Sequence, residues 1–121
     1  MQETSIYQER KDVFSNIAGQ WYAESIDQKM VFGGSERLSQ EAALSITSKG
    51  KQPHEDVYSI SSYLGDDNKP IFYIDIGQSW DTRRWFKIKE ISAGKMVLVE
   101  MEKAIGRKET GGEVVYVKRA K

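Results

Sequence analysis

The 121-residue sequence predicts an all-β fold: about eight short antiparallel strands, closed into a barrel behind a short N-terminal helix. Three observations carry that prediction. From Gly19 onward the apolar residues recur every second position rather than every third or fourth. The alternating runs are short and are separated by turn signals, "GG" at 33–34, "KGKQP" at 49–53, "GDDNKP" at 65–70, "SAGK" at 92–95 and "TGG" at 110–112. No long helical stretch intervenes to make parallel crossovers. The pattern fits a barrel or a sandwich, and closure is favoured because it removes the two exposed edges that an open sheet would carry.

The elements follow in order. "SIYQ" sets Ser5 and Gln8 at capping-box spacing, and Val13, Phe14 and Ile17 then form one apolar stripe. A helix over 6–17 is expected, ended by Asn16 and Gly19, and too short to persist unless it docks. The barrel is expected over 19–119, so that 1–121 reads as a single domain with neither linker nor internal repeat. "QWYAESID" alternates Trp21, Ala23 and Ser25 against Tyr22, Glu24 and Ile26. "AALSITS", "DVYSISSYL", "KPIFYIDIG" and "TRRWFKIKEI" continue the alternation, "KMVLVEM" is apolar on both faces, and "EVVYVKR" follows. A weaker strand is expected near "GSERLS". Met30, Val31 and Phe32 just before it read either as a flexible lid or, preferably, as core residues continuing the first hairpin.

With Trp21 facing inward, the inward partners are Leu44, Ile46, Tyr58, Ile60, Phe72, Ile74, Ile76, Phe86 and Ile88. Val115 and Val117 share a face with Arg119 and are placed inside as well. Such a lining would accept an apolar or amphipathic molecule, or would simply form a filled core.

Composition narrows the function. Eighteen basic and eighteen acidic side chains cancel, which argues against nucleic-acid binding driven by bulk charge. The absence of cysteine excludes disulfides, zinc–thiolate sites and thiol catalysis within this chain. No apolar run approaches the ~20 residues of a membrane-spanning helix. The polar start "MQETSIYQERKD" is not a signal peptide. The compartment stays open: cytoplasmic if Met1 is native, periplasmic or secreted if a leader was removed.

A short helix, then G-x-W opening the first strand (Gly19, Trp21), then a meander ending in "YVKR" resembles the lipocalin-like barrels of the calycin superfamily. "FKIKEISAGKMVLVEM" and "EVVYVKR" are similar to the last three strands of small bacterial members. The resemblance implies an up-and-down barrel whose tryptophan seals the closed end, with Arg119 laid over the Trp21 indole. It also implies a hydrophobic ligand. The chain is short for that family and lacks its C-terminal helix and disulfide, so the interior is either a small cavity or filled by side chains.

The residues that could carry chemistry are few. In "SWDTRRWFK", Trp80 and Trp85 bracket Arg83 and Arg84. The cluster suits a single-stranded nucleic-acid platform, or a barrel mouth where Arg84 meets a carboxylate. The plainest reading has Trp85 covering outer apolar surface while the arginines sit in water. His54, the only histidine, lies in a polar loop beside Glu55 and Asp56 and reads as a solvated loop residue rather than a metal ligand. No catalytic motif is present, and no metal or cofactor is expected. The expected function is therefore non-catalytic binding of a small hydrophobic or amphipathic molecule, with Phe32, Tyr58, Phe72, Ile74, Trp80, Arg84 and Phe86 as ligand contacts. The alternative is a protein-interaction module with a filled barrel, docking through an exposed Trp/Arg surface.

Overall fold

The computed structural model describes residues 12–65, 67–78, 83–102 and 109–119. Its strands are β1 (Gly19–Ala23), β2 (Gln28–Phe32), β3 (Ala42–Ser48), β4 (His54–Leu64), β5 (Pro70–Ile76), β6 (Arg84–Ile91), β7 (Lys95–Met101) and β8 (Glu109–Arg119). Each pairs antiparallel with the next, and β1 closes on β8. This is an up-and-down barrel, and the sandwich alternative falls away.

The expected alternation holds through β3 to β6. Leu44, Ile60, Ile74 and Ile76 join Trp21 in one buried cluster, and Ile46, Phe86 and Ile88 are packed against it. Residues 12–17 are helical, and Val13 and Ile17 enter the same cluster from one end of the barrel. The capping pair Ser5 and Gln8 lies outside the described residues.

Three expectations need correction. "QWYAESID" is not one strand. The chain leaves β1 at Ala23, makes a 3-10 turn over Glu24–Ile26, and reverses at Asp27 in the left-handed region (φ 47°). The Tyr22 hydroxyl donates to Asp27 Oδ1 at 2.8 Å and holds that reversal. Second, the remaining strand is Gln28–Phe32, not "GSERLS". Met30 and Phe32 are buried core residues rather than a lid. Residues 33–41 form a connection, with Ser39 N–H donating to the Ile60 carbonyl and Leu38 packed on the core.

The third correction concerns β8. Its register sets Trp21 opposite Lys118 and Tyr22 opposite Val117, so Val114, Tyr116 and Lys118 face inward. Val115 and Val117 point out and are each 44% exposed. Lys118, not Arg119, covers Trp21: its Nζ lies 4.9 Å from the indole centroid and donates to the Asn16 carbonyl at 2.6 Å. Burial lowers the Lys118 pKa from its ordinary value. Arg119 instead lies over the Tyr22 ring on the outer wall, at 4.4 Å. Both faces of β8 carry valine and a basic residue, so alternation alone could not choose between them.

The outer wall has a small apolar cluster of its own, in which Tyr73, Trp85 and Met101 pack with Ile71. Trp85 is 2% exposed there. Its cross-strand neighbour Asp75 accepts a hydrogen bond from Ser61 Oγ at 3.0 Å. Burial pushes the Asp75 carboxyl up to about 6, against the opposing pull of that hydrogen bond and of the Arg83 charge.

Candidate functional site

The two ends of the barrel are filled differently. At the helix end Trp21 is fully buried, and its Nε1–H donates to the Ile17 carbonyl at 2.9 Å. Gly19 adopts φ 129°, and a Cβ there would approach Lys118 Cε to 3.2 Å, so the glycine lets β1 pass beneath the lysine that covers the indole. Gly19 and Trp21 thus lie together at the helix end, on the strand that pairs with β8.

Toward the opposite end the interior holds a cavity of about 370 Å³, near the lower limit of the ~300–1,000 Å³ common for small-molecule sites. Its apolar lining comes chiefly from Met30, Ile46, Ile76, Phe86, Leu98 and Val114. Gln28, Ser48, His54, Arg84, Glu100 and Tyr116 supply the polar part. Gly111 and Gly112 also border the cavity, and a Cβ added at either would meet nothing within 4 Å.

The polar groups pair with one another. Arg84 donates from Nε and Nη2 to the two carboxylate oxygens of Glu100, at 2.8 and 2.9 Å, and its guanidinium carbon lies 5.1 Å from the Phe86 centroid. The hydrogen bond to Glu100 raises the Arg84 pKa further. Tyr116 donates its hydroxyl hydrogen to Gln28 Oε1 at 2.8 Å. Burial is the main cause pushing the Tyr116 phenol up to about 12; the Arg84 charge lowers it and Glu100 raises it. His54 Nε2 lies 3.1 Å from Asp56 Oδ2 at the exposed margin.

Of the expected ligand contacts, Arg84 and Phe86 line this cavity. Phe32, Tyr58 and Ile74 sit in the close-packed interior instead. Phe32 and Tyr58 meet edge to face at 4.9 Å, and the Tyr58 hydroxyl donates to the Gly33 carbonyl. Phe72 borders a shallow, open groove beside the helix, shared with Asp12, Val13 and Ile91. Trp80 lies outside the described residues.

Sequence reasoning missed Gln28, Glu100 and Tyr116. For Glu100 a signal existed, since it shares a face with Met96 and Leu98. Among the described residues, no group of three or more His, Cys, Asp or Glu gathers to hold a metal ion, and no helix is long and apolar enough to cross a membrane. No protein-family model, curated protein or solved structure matches this chain.

Proposed function

We propose that the protein binds a small hydrophobic or amphipathic molecule inside the barrel, in the manner of a lipocalin-like carrier and without catalysis. The observation that carries this reading is the cavity of about 370 Å³, apolar within and polar at its margin. An interior evolved only for stability would be filled to the density of an organic crystal. Docking through a Trp/Arg surface has less support, because Trp85 is 2% exposed and the exposed Arg84 is already paired with Glu100.

Gly112→Leu tests the reading. The new side chain enters open space at a cavity-lining position, so the fold should survive with an unchanged or slightly raised Tm. Uptake of an environment-sensitive apolar dye should fall by about tenfold or more. Equal dye affinity in a folded Gly112→Leu protein, or no saturable uptake by the unaltered protein, would remove the cavity from consideration.

A further inference from the structure

We infer, on the premise that the cavity holds an amphipathic molecule, that the polar end of that molecule is uncharged and hydroxylated: an alcohol rather than a carboxylate or an amine. The reason lies in how the charges of the mouth are already matched. Both carboxylate oxygens of Glu100 accept from Arg84. Asp56 faces His54 through Oδ2 and accepts the Val57 N–H through Oδ1 at 2.8 Å.

An incoming carboxylate could take the two-point place on the guanidinium only by displacing Glu100, and on the remaining N–H groups it would sit beside the Glu100 charge. Displacement would leave Glu100 unpaired next to a second anion, and like charges held that close repel. An ammonium group would do the same to Arg84. A ligand charge of either sign therefore breaks an existing pair or lies beside a like charge.

A hydroxyl group breaks nothing. The guanidinium carries N–H groups beyond the two that face Glu100, and these can donate to a neutral oxygen. Tyr116 gives its hydrogen to Gln28, which leaves its phenol oxygen free to accept. Arg84, Glu100 and Tyr116 line the same cavity. One hydroxyl accepting from Arg84 and donating to Tyr116 thus meets complementary groups from β6 and β8, with its hydrocarbon part directed at Met30, Ile76 and Leu98.

Calorimetric titration of the intact chain with decanol, decanoate and decylamine at neutral pH, each below its aggregation threshold, tests the assignment. Decanol is expected to bind about tenfold or more tightly than either charged compound. Decanoate or decylamine equalling it would overturn the head-group assignment while leaving the cavity reading intact. Binding of none of the three would overturn both. Two variants ask whether the ion pair sets the ranking. Glu100→Gln frees Arg84 and should bring decanoate level with decanol or above it. Arg84→Gln frees Glu100 and should do so for decylamine. An unchanged ranking in both folded variants would refute the role given to the pair, and the ranking on the unaltered chain decides the matter should either fail to fold.

Discussion

The same eight strands build both ends of this barrel, yet the two ends satisfy their polar atoms in opposite ways. At the helix end the partners are backbone carbonyls: Trp21 donates to Ile17, Tyr58 to Gly33 and Lys118 to Asn16. At the mouth the side chains bond to one another, Arg84 to Glu100, Tyr116 to Gln28 and His54 to Asp56. A backbone acceptor is fixed by the ladder or helix that holds it. A side-chain partner is held only by its own rotamer. The helix end is therefore tied to fixed backbone acceptors and the mouth to side-chain pairs, and the boundary between them runs along the interior of individual strands.

The sharpest way to break that division is to compare Trp21→Ala with the double replacement of Arg84 and Glu100 by methionine. Trp21 is fully buried, so its truncation should cost about 3–5 kcal/mol in denaturant unfolding. The double variant removes a partly exposed pair whole and should change stability by less than about 1 kcal/mol. Similar costs at the two ends would end the distinction.

A smaller contrast separates adjacent residues. Lys118→Met loses a charged hydrogen bond to the Asn16 carbonyl and the contact with the indole, about 2 kcal/mol together. Arg119→Ala loses only its place over Tyr22 on the outer wall and should cost under about 1 kcal/mol. Tm values in the reverse order would return the closing role to Arg119.

The smallest effect belongs to the wall between the ends. Because the folded Asp75 carboxyl titrates at about 6 rather than 3.8, the folded chain retains that proton longer than the unfolded chain. Its contribution favours folding below the unfolded value and is lost as pH rises through the folded one. Asp75→Asn should flatten that fall and stabilise the protein at neutral pH by about 1 kcal/mol, after discounting for partial exposure. A pH–stability curve parallel to that of the unaltered chain would show that Asp75 is not the group responsible.

How much of this was legible in the sequence depended on where alternation had a single answer. In "KPIFYIDIG" one face carries Phe72, Ile74 and Ile76 while the other interposes Asp75, so the inward face was plain. In "EVVYVKR" both faces carry valine, and the wrong one was anchored on Arg119. The break inside "QWYAESID" turned on Asp27 adopting a left-handed conformation, which neither its identity nor its neighbours demanded. The cavity was less legible still. Its walls and polar pairs join residues far apart in sequence, as Tyr116 and Gln28 are. Alternation assigns each residue to a face, but it does not say who stands opposite across the barrel.

The seam between β1 and β8 has a consequence in the order of synthesis. Gln20, Trp21 and Tyr22 leave the ribosome early, but their second strand partners, Arg119, Lys118 and Val117, come nearly a hundred residues later. Throughout that interval β1 offers an unpaired edge, and β7 offers another from the moment it forms. Any sheet formed before residues 117–119 are present has two open sides, and the barrel can close only when they pair with β1.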